Sequence, residues 1–131
     1  MDIYLTYVEE LKKDTAVDEI SLKEKALYMP GIKAKWVARL INHKNNIRLL
    51  EKQKQKVLMQ IVEKLKQESP IKLHSGVAKE TAENSEAIKE ISSKINDEKL
   101  LVDFLERVEK IFSSMSFDIS NIIKIVQLET T

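Results

Sequence analysis

Apolar residues recur at three- and four-residue intervals along nearly the whole chain, the period of a helix with one buried face. Tyr4, Val8 and Leu11 share a face, flanked by Leu5 and Tyr7, so a first helix is predicted from Asp2, acting as N-cap, to Lys13. Asp14 to Asp18 reads as a break. Ser21-Leu22-Lys23-Glu24 then has the spacing of a capping box, in which serine and glutamate satisfy orphan amides reciprocally. That helix is expected to stop before Pro30, because proline disfavours a helical residue ahead of it. Pro30 is suited to open the next one, where its missing N–H would be unpaired anyway.

From Ile32 to about Gln67 nothing interrupts the pattern. Trp36, Leu40, His43, Ile47, Leu50, Lys54, Val57 and Ile61 alternate steps of four and three, a coiled-coil-like seam widened by Leu58 and Leu65. Such a helix is roughly 50 Å long, more than a compact small domain needs. Ser69-Pro70 ends it, and residues 71–87 carry the weakest pattern, a connection expected to be mobile. Helical spacing resumes with Ile88, Ile91 and Ile95, followed by Leu101, Leu105, Val108, Phe112 and Met115. Asn96-Asp97 either caps a new helix here or lies inside a continuous one. The tail from Asp118 to Glu129 has Ile119, Ile122, Ile123 and Val126 at helical spacing, although its β-branched density also permits a strand. The expected fold is all-α: a long helical hairpin with short N-terminal helices and a C-terminal oligomerisation helix. It forms one domain over 1–131, with the basic helix in 1–68, the connection in 69–87 and the C-terminal helices in 88–131.

Composition narrows the chemistry. With only Gly31 and Gly76 in 131 residues, no glycine-rich phosphate cradle can be built. No cysteine is present, which removes disulfides, thiol nucleophiles and thiolate metal sites. His43 and His74 cannot form a zinc centre without several organised carboxylates. Neither a catalytic constellation nor a cofactor or metal site is expected, and the chain is expected not to be an enzyme. No apolar run approaches the roughly 18 residues of a membrane span, and the N-terminus lacks the pattern of a signal peptide. A soluble, intracellular protein is the expectation.

Charge is near balance in total, 22 basic against 21 acidic residues, and far from balance locally. Between Gly31 and Lys66, ten basic residues against Glu51 and Glu63 leave +8. Residues 1–30 carry four basic against seven acidic, and residues 78–110 six against nine, so each is −3. Lys44, Arg48, Lys52 and Lys56 fall four apart and form one stripe on the helix. Each like-charge pair at this spacing costs about 0.2–0.5 kcal/mol, which calls for a compensating anion. A polyanion such as nucleic acid supplies it through counterion release; acidic helices of the same molecule or its oligomer are the alternative. The candidate nucleic-acid contacts are Lys33, Lys35, Arg39, Lys44, Arg48, Lys52, Lys54, Lys56 and Lys64. Lysine outnumbers arginine eight to two on this helix, which favours phosphate contact over base readout.

Trp36, between Lys35 and Arg39, is the best candidate for stacking on an unpaired base, but its seam position points to core packing. Tyr4, Tyr7, Phe104, Phe112 and Phe117 read as core or interface, and His43 as a packed seam residue. A long rod cannot bury every apolar side chain within one copy, so self-association is expected through Val108, Phe112, Met115, Phe117, Ile119, Ile122, Ile123 and Val126. Closed symmetry is the usual outcome, and a ring would multiply weak phosphate contacts by avidity.

An ordered series of residues resembles a known family. It comprises Glu10-Leu11-Lys12-Lys13-Asp14, Val17-Asp18, Leu22, Ala26, Pro30, Ile32 and Lys35-Trp36, then Glu51, Gln53 and Lys54. Leu101, Leu105, Ser116-Phe117-Asp118-Ile119 and Ile122-Ile123 complete it. The series is similar to the UvsY family, recombination mediators of T4-like bacteriophages. The resemblance implies ring-shaped homo-oligomers that bind single-stranded DNA in the cytoplasm of the infected bacterial host. They help load a RecA-like phage recombinase onto strands covered by the phage single-strand-binding protein, without catalysis of their own. It also implies a Lys and an Arg two apart for DNA contact, but an ungapped match places Met59 and Ile61 there. Neighbours such as Lys52, Lys54, Lys56 or Lys64 would have to substitute.

Overall fold

The computed structural model describes residues 2–17, 22–68 and 75–130. They form four helices: α1 (Asp2–Thr15), α2 (Leu22–Glu68), α3 (Ser75–Glu83) and α4 (Glu86–Thr130). No strand occurs among the described residues, so the tail resolves as helix. Asn96 and Asp97 lie inside α4, which continues through them. Ser21, Ser69-Pro70 and His74 fall outside the described residues.

The chain divides into two compact units, one made of residues 1–41 and 101–131, the other of 42–100. Both α2 and α4 contribute a segment to each. In the first unit, Leu22, Met29, Trp36 and Leu40 of α2 pack with Leu105, Val108, Phe112 and Ile119 of α4. Tyr7 and Leu11 of α1 close over this core. Tyr7 meets Trp36 edge-on with ring centroids 5.7 Å apart, and Trp36 leans on Phe112 at 6.2 Å. Trp36 is only 1% exposed, so its role is core packing.

The expectation that a helix ends before Pro30 is corrected: α2 runs straight through it. An interior proline leaves the Ala26 carbonyl without its usual amide donor and costs about 3 kcal/mol. Against this, Leu22, Met29 and Trp36 recur every seven residues and all are buried. Burying side chains of the Leu and Met kind is worth about 1.5–3 kcal/mol each. A break at Pro30 would rotate Leu22 and Met29 off the face they share with Trp36, so packing prevails.

The second unit is built from the remainder of α2, α3 and the start of α4. Part of the stretch expected as a connection is helix α3. Ala78 and Ala82 are fully buried, and Ala82 packs with Leu58 and Ile88 while Val57, Ile61, Val62 and Leu65 border them. Alanine at the contact lets the short helix lie close to α2. The turn into α4 is two residues long: the Asn84 amide donates to the Glu80 carbonyl at 3.2 Å. Ser85 then caps α4, its hydroxyl oxygen accepting from the Ile88 amide at 3.4 Å.

Candidate nucleic-acid interface

The basic residues of α2 have different surroundings in the two units. In the first, Lys35 and Arg39 are held by acids of α1. The Arg39 guanidinium donates to both oxygens of Glu10, at 2.7 and 3.2 Å, the planar fork geometry that strengthens such pairs. Lys35 donates to Asp14 Oδ2 at 2.6 Å and lies 3.0 Å from Glu10. The same Asp14 oxygen accepts from the Trp36 indole N–H at 2.8 Å. The Arg39 guanidinium sits 4.8 Å from the ring centres of Tyr7 and Trp36, a cation–π arrangement. The Arg39 hydrogen bond, followed by that of Lys35, lowers the Glu10 pKa from 4.5 to about 2. For Lys35 burial opposes the charge, but hydrogen bonds to Asp14 and Glu10 outweigh it and raise the pKa above 10.5. These two cations are therefore parts of the fold. Lys33 borders an apolar hollow beside Met29, Ser116 and Ile119.

In the second unit Lys44, Arg48, Lys52 and Lys56 are all exposed along α2. Arg48 is oriented by Asn45, whose side-chain oxygen accepts at 2.9 and 3.3 Å. Lys64 sits 4.0 Å from Glu68 on its own helix. Arg48, Lys52 and Lys54 line a groove of about 610 Å³ whose opposite wall is α4, with Ser92, Asn96 and Lys99. Glu51 is the one acid on the lining, so four cations against it leave +3. Among the described residues no ion pair forms with Lys52, Lys54 or Lys99. The groove offers hydroxyl, amide and cationic donors, the set that holds phosphate oxygens. Lys99, Ser92 and Asn96 were not among the sequence candidates. They lie in a segment of net negative charge, and only the antiparallel pairing of α4 with α2 in this unit brings them to the groove.

His43, 4% exposed, places Nδ1 2.6 Å from Glu98 of α4. A polar group in an apolar seam is tolerated when it is paired, and this partner could not be read from α2 alone. No cluster of three or more potential metal ligands occurs among the described residues. No helix there is long and apolar enough to cross a membrane.

The candidate oligomerisation residues divide. Val108, Phe112 and Ile119 are buried in the chain's own first unit, which corrects their assignment: the α4 stripe they share faces α2. Met115 and Ile123 border the same core. Phe117 (68% exposed), Ile122 and Val126 face outward, and Ile111, Ile125 and Leu128 join them.

The family model described as "Recombination, repair and ssDNA binding protein UvsY" matches residues 10–131. No curated protein sequence matches. The fold is similar to crystal structures of the bacteriophage T4 recombination mediator protein UvsY, of which three share 20% identity with this chain. One has a TM-score of 0.80, covering 96% of this chain and 98% of the other. A second has 0.78 with 96% of each covered. A third has 0.77, with 92% and 96% covered.

Proposed function

The chain belongs to the UvsY family, shown by the match over residues 10–131, and from that premise we propose that it binds single-stranded DNA through the second-unit groove. The observation that carries this reading is the lining of Arg48, Lys52, Lys54 and Lys99, opposed by Glu51 alone. Lys44 and Lys56 extend the basic face along α2. Lysine-rich contact of this kind tracks the phosphate backbone without reading bases, as a protein acting on any strand requires. The groove lining holds no aromatic side chain, so affinity comes from charge rather than from stacking.

The finer role follows the recombination mediators it resembles. Holding the backbone in an altered path weakens the resident single-strand-binding protein and presents the strand to a RecA-like recombinase in the infected host. Phe117, Ile122, Ile125, Val126 and Leu128 leave an apolar surface on α4, which we assign to contact between copies in a closed oligomer. Multiplying a +3 groove around such a ring gives avidity without new contacts.

The ion pairs of Lys35 and Arg39 favour the other reading, intramolecular neutralisation, for that end of α2 only. Fluorescence anisotropy with labelled single strands of different sequence, and with a duplex of equal length, tests the proposal. Sequence-independent binding that prefers the single strand and weakens with salt is expected. Absence of binding at low salt would overturn it.

A further inference from the structure

A second groove of the same unit has a different character. It is about 620 Å³, lies between α2 and α3, and has Leu58, Met59 and Val62 as its floor. Met59 is 69% exposed, next to Leu58 of the second core. Lys56, Lys66 and Lys79 stand around the rim with Glu63 as the one acid. Among the described residues neither Lys56 nor Lys79 has an ion-pair partner.

We propose that this α2–α3 groove is a docking site for an acidic amphipathic segment of a partner protein. An amphipathic helix lays apolar anchors into such a groove and keeps its charges at the edges. Here carboxylates of the segment would meet Lys56 and Lys79, and its apolar side chains would cover Met59 and Val62. Methionine suits the task because its unbranched thioether adapts to differently shaped anchors. Nucleic acid fits less well. The lining holds neither an aromatic ring nor an arginine on which a base could stack, and an aliphatic floor gains nothing from phosphate. The site shares Lys56 with the basic face assigned to the strand, but Met59 and Lys79 lie outside the cationic groove itself.

The test uses the full chain and a labelled acidic peptide about 18 residues long, with leucines at i, i+3, i+4 and i+7. A peptide of the same composition in scrambled order is the control. Binding to the amphipathic peptide, weakened about tenfold or more by Met59→Glu and by Lys79→Glu, is expected. Both positions are exposed, and unchanged helical circular dichroism checks that the variants fold. Met59→Ser, which changes no charge beside Lys56, should also weaken peptide binding while single-stranded DNA affinity is retained. The proposal is overturned if the peptide does not bind, if the scrambled peptide binds equally well, or if both charge-changing variants keep full affinity. Loss of DNA binding in Met59→Ser together with displacement of the peptide by an oligonucleotide would assign the groove to the strand instead.

Discussion

Replacing Glu10 by Gln keeps the shape of the side chain and removes the charge that Arg39 and Lys35 share. The Glu10 pKa falls from 4.5 to about 2 in the folded protein, which corresponds to about 3 kcal/mol if it were realised in full. With a third of the Glu10 side chain open to solvent, screening reduces this to about 1–2 kcal/mol. The sign follows from linkage. A carboxylate whose pKa is depressed by folding stabilises the protein fully above its unfolded pKa, here 4.5, and the contribution disappears as pH falls toward 2. By pH 2.5 about three-quarters of it is gone. Urea denaturation of wild type and Glu10→Gln at equal protein concentration, followed by circular dichroism at pH 7 and near pH 2.5, measures the difference. Glu10→Gln should be less stable by about 1–2 kcal/mol at pH 7, and the gap should shrink at the acid end. A gap of the same size at both pH values would refute the ion-pair account, because a lost packing or neutral hydrogen-bond contribution does not titrate.

Three further outcomes follow from α2, from the core and from the outer face of α4. Pro30→Ala restores an amide donor to the Ala26 carbonyl, so thermal or urea unfolding should show stabilisation of about 1–2 kcal/mol, after allowing for the greater freedom of the unfolded chain. A destabilised variant would mean that the proline is needed where it stands. Phe112→Ala should cost about 3–5 kcal/mol, whereas Phe117→Ser with Ile125→Ser should leave monomer folding intact and lower the mass seen by light scattering. Unchanged mass would remove those two residues from the contact between copies.

The main lines of the fold were legible where periodicity and packing agree. The seam is buried at Trp36, Leu40 and His43 and borders the second core at Val57 and Ile61, because a step alternating between four and three keeps one side of a helix on its neighbour. Lys54 departs from it and lines the groove. At Pro30 a local rule yielded to tertiary register, set by Leu22 and Met29 in phase with Trp36. Helix α3 was obscure because its buried contacts are two alanines in a polar context, too weak a signal against Glu and Thr. In the tail every helical face carries apolar residues, so sequence spacing could not tell Ile119, which faces α2, from Ile122, which faces outward. The functional surface divided in the same way. The α2 cations were visible as a run of charge, but their acidic counterparts Glu10 and Asp14 lie more than 20 residues away. Lys99 joins the groove only through tertiary pairing.

The central claim is that the second-unit groove holds single-stranded DNA by its phosphates. The slope of log affinity against log salt tests it most directly, compared between wild type and the combined Lys52→Ala, Lys54→Ala and Lys99→Ala variant. Each phosphate contact on a single strand contributes about 0.7 to the slope. The slope should be shallower by about 2 in the variant, with helical content preserved. An unchanged slope would contradict it.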